Sequence, residues 1–419
     1  MRQLNFLALG VILFSAAAIA QTSAKTFDMY IVDTEGGHSV LFVSPTGESI
    51  LEDTGNPGTR DPDRIMEVIN AAGVKQIDHL IITHYHVDHI GGLEELAKRI
   101  PIKHYIDHGK TVEEHEQVAN FQAKYAELYS KVQHTVVKPG DKISFGPVDA
   151  TVVTSAGQVI KKPLPGGGIP NPACAEFKHR EDSDTQPENM QSVGVVYTFG
   201  KYRSVDLGDF TWNLEQDLMC PSNPIGHVSL WLTSHHGINQ SNSPTLVHGL
   251  APEVVVMHNS ERKGGALTTM QAIWSSPGLQ DLWQIHWAYA AGLEYNTPGL
   301  FIANLTDPAA IAGVITGATP VGNGFGGPGR RGGGPGGPPA GAPPAAGAAP
   351  QSPAGAPGAA PAGASQAGGR AGGFGGGFGG GRGGHDGPAF YIKVSAHSDG
   401  TFTVTNTRNN FSKTYAAMK

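Results

Sequence analysis

Cysteine is nearly missing. Only Cys174 and Cys220 occur in 419 residues, which excludes a small disulfide-rich scaffold, and their spacing fits no cysteine-zinc pattern. Each sits in a Pro-rich loop, Asn171-Pro172-Ala173-Cys174 and Cys220-Pro221. This favours one disulfide formed in an oxidising compartment, with two separate buried thiols as the alternative. Positive charge is not in excess either: 29 Lys and Arg stand against 36 Asp and Glu, a net charge of −7. That balance gives no general attraction to nucleic acid. Long apolar runs are scarce. The one from Leu7 to Ala20 is shorter than the ~20 residues needed to cross a bilayer, and no later stretch approaches that length.

The N-terminus does have the order of a secretory signal: Arg2, an apolar run, then the small-x-small site Ala18-Ile19-Ala20. Residues 1–24 are therefore expected to be removed on export, by cleavage near Ala20 or Ala24. The mature chain would be periplasmic or secreted, soluble, and without a transmembrane segment. Residues 318–388 form a second segment apart, built of Gly, Pro and Ala with few bulky apolar side chains. Such a composition cannot bury enough surface to offset its ordering entropy, so a disordered tether is expected. Its Arg330, Arg331, Arg370 and Arg382 read as solvated spacer charges rather than as an RGG-type nucleic-acid tail. These two segments leave residues 25–317 as the main domain and 389–419 as a C-terminal β-hairpin that returns to it.

Within the main domain, short strands alternate with helical spacing. Strands are predicted over 27–32, 39–43, 49–51, 77–83, 148–154, 192–199, 202–207, 229–233 and 254–257. Helices are predicted over 61–72, 92–99, 112–131, 243–250 and 268–274. Strands followed by helices, twice over, imply two sheets packed face to face with helices outside, a mixed α/β fold. The alternation of 390–394 and 401–405 about Asp399-Gly400 predicts the closing hairpin.

The most informative stretch is Thr83-His84-Tyr85-His86-Val87-Asp88-His89-Ile90-Gly91-Gly92. Four metal-binding side chains lie within six residues, between a buried strand and a helix. Imidazole with carboxylate, and no thiolate, suits zinc. The two glycines are expected to let the backbone turn sharply into the helix.

This stretch resembles the signature loop of the metallo-β-lactamase superfamily. Further matching stretches are Asp33 to Val43, Leu51 to Gly55, Asp206-Leu207-Gly208-Asp209 and Ser234-His235-His236-Gly237. The first two resemble the competence-protein-type branch. The resemblance implies a four-layer αββα sandwich and a dinuclear zinc centre. His84 and His86 would bind the first ion. Asp88, His89 and one of His235 and His236 would bind the second, with Asp209 bridging. His236 is the favoured ligand and His235 the nearby acid–base group, since adjacent residues of an extended segment point opposite ways. The superfamily usually adds a histidine to the first ion between the positions of Asp88 and Asp209. This sequence has no clean match there: His179 lies in a polar loop, while Asn189 and Ser192 fall at the corresponding turn and are candidates to line the substrate site. The first site is thus expected to be weak or to hold manganese. His38 stands where the branch usually has aspartate, close to the expected metals, with loop packing favoured over substrate contact.

The implied activity is hydrolysis by metal-activated water, with Asp88 orienting it. The substrate is expected to be a small-molecule or polymeric phosphodiester or phosphate ester. Arg262 and Lys263 are candidate phosphate-binding residues. A lactonase or β-lactamase activity, and a metal-stabilised binding module without turnover, are the alternatives. Nothing in the sequence defines a nucleic-acid or protein partner.

Overall fold

The computed structural model describes residues 25–114, 116–305 and 388–418. The expected signal segment and all but the last residue of the expected tether lie outside them. In the first half the strands are β1 (Phe27–Ile31), β2 (Val40–Val43), β3 (Ser49–Glu52), β4 (His79–Ile81), β5 (His104–Asp107) and β6 (Gln133–Val136). The helices are α1 (Arg60–Ala71), α2 (Val87–Ile90), α3 (Leu93–Ala97) and α4 (Glu116–Tyr129).

The second half begins with β7 (Lys142–Ile143), β8 (Asp149–Ser155), β9 (Gln158–Val159), β10 (Ile169–Pro170), β11 (Gly194–Phe199) and β12 (Tyr202–Asp206). It continues through α5 (Trp212–Met219), β13 (Ser222–Asn223), β14 (Leu230–Leu232), α6 (Pro244–Leu250), β15 (Val254–Met257), α7 (Leu267–Trp274), β16 (Asp281–His286), α8 (Gly292–Tyr295) and β17 (Ile302–Asn304). The chain closes with β18 (Ile392–Ala396), β19 (Phe402–Asn406) and β20 (Phe411–Tyr415).

Two large sheets result. One runs β20-β19-β18-β1-β2-β3-β4-β5-β6, and the other β17-β16-β15-β14-β12-β11-β8-β7 with β9 beside β8. In β1 the alternation predicted from sequence separates two cores. Phe27, Met29 and Ile31 face the second sheet, while Tyr30 and Val32 face the helices. The inter-sheet core joins these to Val195, Leu230, Val254 and Trp283. Helices α1, α3 and α4 cover the outside of the first sheet, and α5, α6 and α7 that of the second. This is the αββα sandwich. On α1, Ile65, Val68 and Ile69 form the buried face, as their 3–4 spacing predicts. At α6 the Ser243 side chain caps the helix by accepting from the Leu246 amide at 3.2 Å, and Pro244 opens the first turn.

The closing hairpin pairs β18 with β1, and a third strand, β20, extends it. Tyr415 at the end of β20 accepts a 2.9 Å bond from the Trp283 indole across the sandwich. Trp283 is therefore an interior side chain. The two cysteines form a disulfide, with Cα atoms 5.8 Å apart, tying the 3-10 turn Pro172–Glu176 to the end of α5. No helix among the described residues is long and apolar enough to cross a membrane.

Candidate metal centre

Strands β3 to β6 are parallel, as are β12, β14, β15, β16 and β17. The loops at their carboxyl ends converge, the usual location of a site in parallel sheets. Asp53 follows β3, His84 to His89 follow β4, Asp209 follows β12, His235 and His236 follow β14, and Lys263 follows β15.

Gly91 and Gly92 play a different part from the one expected. Both have ordinary helical φ values, −61° and −81°. What they provide is close approach: a Cβ on Gly91 would lie 2.5 Å from Pro57 Cδ, and one on Gly92 2.2 Å from the Thr54 carbonyl oxygen. The metal loop is thus pressed directly against the segment that follows β3.

The cluster divides about the two oxygens of Asp209. Near Oδ2 are His84 Nε2 at 3.7 Å and His235 Nε2 at 3.2 Å, and His86 Nδ1 lies 3.0 Å from His84 Nε2. Near Oδ1 are His89 Nε2 at 3.3 Å and His236 Nε2 at 3.6 Å. Asp88 Oδ2 completes the second group, 3.3 Å from His236 Nε2 and 3.8 Å from His89 Nε2. Ligand bonds of 2.0–2.1 Å in a tetrahedron place neighbouring ligand atoms about 3.3–3.4 Å apart, and these individual contacts of 3.0–3.8 Å lie close to that spacing. His89 Nε2, His236 Nε2 and Asp209 Oδ1 are buried and have no hydrogen-bond partner, which is costly unless an ion or water satisfies them. The donor set therefore fits divalent cations.

The outer nitrogens of His84, His86 and His89 are held. His89 Nδ1 lies 2.7 Å from Asp53 Oδ2, His84 Nδ1 3.2 Å from the Thr83 hydroxyl, and His86 Nε2 3.3 Å from Glu113. Such outer partners fix the tautomer and ring direction of a ligating histidine. Burial alone would depress His89, but Asp209, Asp53 and Asp88 push it up to about 10. Burial would raise Asp209, yet His235, His89 and His236 hold it well below the carboxylate range. Burial pushes His235 down to about 3 and His236 to about 4, leaving neutral imidazoles suited to ligation.

His235 and His236 do not lie on an extended segment, so the reason for separating their roles fails. Both are left-handed, with φ of 51° and 55°, a conformation costing about 1–2 kcal/mol each. The surroundings enforce it. Asn242 Nδ2 donates to the carbonyls of Ser234 and Ile238, and the His235 amide donates to the Gly208 carbonyl. Glu215 in turn accepts from the amides of Asn242 and Ser243.

The remaining candidates are spread around this centre. His38 is fully buried and bridges Asp53 and Asp206, 3.0 Å from each. It joins the two halves beneath the centre, in keeping with a packing role and away from solvent-borne substrate. Ser192 accepts from the Asp209 amide at 3.2 Å and so positions the shared carboxylate. Asn189 is buried, with Nδ2 3.5 Å from His235 Nε2. His179 is exposed. Lys263 pairs with Asp88, whereas Arg262 lays its guanidinium over the Tyr289 ring at 5.1 Å. Sequence reading missed Asp53, Glu113 and His258. His258 is buried at the end of β15 with neither nitrogen hydrogen-bonded, its ring 4.6 Å from His38 and 4.9 Å from His236. The available sign was a histidine directly after the all-apolar strand Val254–Met257.

The chain is similar to several known proteins. Over 92 residues the chain is 27% identical to the beta-lactamase-like protein 2 homolog of Caenorhabditis elegans, covering 17% of this chain and 31% of that one. The chain thus spans about a third of the length of that curated relative. Among solved structures it is similar to the metallo-beta-lactamase fold protein YhfI of Bacillus subtilis, at 12% identity and a TM-score of 0.39, covering 62% of this chain and 95% of that one. It is also similar to CmlA, a diiron beta-hydroxylase from Streptomyces venezuelae, at 16% identity and a TM-score of 0.34, covering 57% and 45%. A diphosphatase of the PhnP family aligns at 15% identity and a TM-score of 0.30, covering 53% and 73%. Residues 33–219 match the family model described as metallo-beta-lactamase superfamily, a span that includes His84, His86, Asp88, His89 and Asp209 and ends before His235.

Proposed function

We propose that this protein is an exported metal-dependent hydrolase that holds two zinc ions and cleaves a phosphodiester or phosphate ester. The observation that carries the reading is the division of buried imidazole and carboxylate donors about the two oxygens of Asp209. His84 and His86 would hold one cation, Asp88, His89 and His236 the other, and Asp209 both. Bound there, the cations supply Lewis acidity and lower the pKa of coordinated water from 15.7 to about 7.

The protein's own part is orientation and charge. Asp53 and Thr83 fix His89 and His84 from behind. Asp88 is partly exposed, with 18% of its side chain accessible, and can orient the attacking water. Lys263, paired with Asp88 and 35% exposed, places a cation where a phosphate oxygen would lie, which favours an anionic ester over a neutral lactone or lactam. The strand pattern of Asp33 to Val43 is the ground for placing the domain in the competence-protein-type branch. The N-terminal signal pattern is the ground for export.

The test is hydrolysis of bis(p-nitrophenyl) phosphate, a lactone and nitrocefin in parallel, before and after chelation and after zinc is restored. Chelator-sensitive, zinc-restored cleavage of the phosphodiester alone is expected. Cleavage of the lactone or nitrocefin in its place would move the substrate class. No cleavage of any ester, with less than one ion bound per chain, would leave a binding module.

A further inference from the structure

We infer that His235 is the protein ligand that completes the first metal site, taking the place of the histidine this sequence lacks between Asp88 and Asp209. The inference rests on the two-cation reading of the site and assigns a different role to His235 from that of a proton donor.

Three observations support it. First, His235 approaches the oxygen of Asp209 that faces His84 and His86, not the one that faces His89 and His236. Its Nε2 is 3.2 Å from Oδ2, within the range seen between the other donors of the cluster. Second, the turn Ser234–Gly237 is left-handed at two successive histidines. That backbone allows neighbouring residues to aim both imidazoles inward, which an extended segment would not. Non-glycine residues adopt this conformation rarely, and runs of it are held by their surroundings at functional sites. Here Asn242, the Gly208 carbonyl and Glu215 hold it. Third, the imidazole edge that faces the cluster is the one free of a close competing partner. Nε2 faces the cluster, 3.2 Å from Asp209 Oδ2, while Nδ1 points away toward the Ser241 hydroxyl at 3.5 Å. The nearest competing donor to Nε2 is the Asn189 amide at 3.5 Å, the outer limit of a hydrogen bond.

With His235 added, the first site has three imidazoles and one carboxylate oxygen: His84 Nε2, His86 Nδ1, His235 Nε2 and Asp209 Oδ2. The second has two imidazoles and two carboxylates: His89, His236, Asp88 and Asp209 Oδ1. The more nitrogen-rich first site suits zinc better than manganese, which prefers carboxylate and water oxygens. On this assignment the first site would be a full zinc site rather than a weak or manganese one.

The experiment is zinc titration of chelator-stripped full-length protein by calorimetry, with bound metal counted after equilibrium dialysis. It uses His235→Asn, because asparagine tolerates the left-handed backbone while removing the imidazole. Far-UV circular dichroism of each variant, compared with the parent, establishes that it folds. The parent should bind two ions per chain. His235→Asn should keep one tight ion and bind the other more than about 100-fold more weakly, since outer-partner changes alone cost about 10–100-fold. Combined with His84→Ala it should lose little more, because both changes strike one site. Combined with His236→Ala it should lose both ions. Two ions bound to His235→Asn with parental affinity would overturn the assignment and leave the two-cation reading standing. So would loss of both ions when His235→Asn is combined with His84→Ala. A parent that binds no zinc would overturn the two-cation reading itself, and the assignment with it.

Discussion

The two halves of the candidate centre are built differently. The half that follows β4 is local: His84, His86, Asp88 and His89 lie within six residues, and two close-packed glycines press their loop against the segment after β3. The half from the second sheet is assembled from distant points. Asp209 follows β12, His235 and His236 sit in a left-handed turn after β14, and Lys263 lies beyond β15. In the local half, residue spacing alone nearly fixes which donors meet. In the distant half, turn geometry and buried supports decide it, so remote substitutions should damage it more readily.

Replacement of the shared carboxylate is the strongest way to break this division. Asp209→Ala removes the donor common to both groups, so zinc titration should find both ions weakened and esterase activity lowered by on the order of 10³-fold or more. Asp88→Ala should also abolish turnover with the fold intact, as read by circular dichroism, but should spare the first ion. Parental activity in Asp88→Ala would remove that residue from the chemistry.

A subtler contrast comes from the outer partners. Asp53→Asn should weaken zinc binding about 10–100-fold through His89 alone. Lys263→Met should leave zinc stoichiometry unchanged while raising KM for an anionic ester about tenfold, with little change for a neutral one. An equal loss on both substrates would argue against a charge-based role.

The disulfide belongs to the distant half. In the chain-entropy account, opening its 46-residue separation should cost about 2–4 kcal/mol of stability. Denaturant unfolding of the Cys174→Ser, Cys220→Ser double variant measures that cost, and the parental zinc count should persist. The smallest effect concerns pH. Burial would depress His286, but pairing with Asp33 and Glu261 pushes it up to about 10. Its folded pKa lies above the usual 6.5, so its stabilisation is complete below about pH 6.5 and is lost as pH rises toward 10. His286→Gln should flatten the decline in stability over that interval, as measured by urea unfolding at a series of pH values.

The same contrast explains what the sequence reveals. Four-layer packing follows from periodicity: β1 alternates between two cores and α1 presents Ile65, Val68 and Ile69 on one face. The contiguous donors are equally plain. Elements such as α5, β5, β6, β16 and β20 are not, because they are short or carry polar residues at buried positions. Asp281 at the start of β16 accepts from Tyr415 of β20, a pairing only the assembled sandwich creates. The orientation of His235 depends on two positive φ values that no residue pattern announces. His38 and Asp53 are ordinary polar residues until folding places His38 between Asp53 and Asp206.

The central claim is that Asp209 serves two cations at once. Anomalous diffraction at the zinc edge from crystals of the zinc-loaded protein tests it directly. The account predicts two peaks about 3.5–4 Å apart, one beside each oxygen of that carboxylate. A single peak, or none within bonding distance of Asp209, would contradict it.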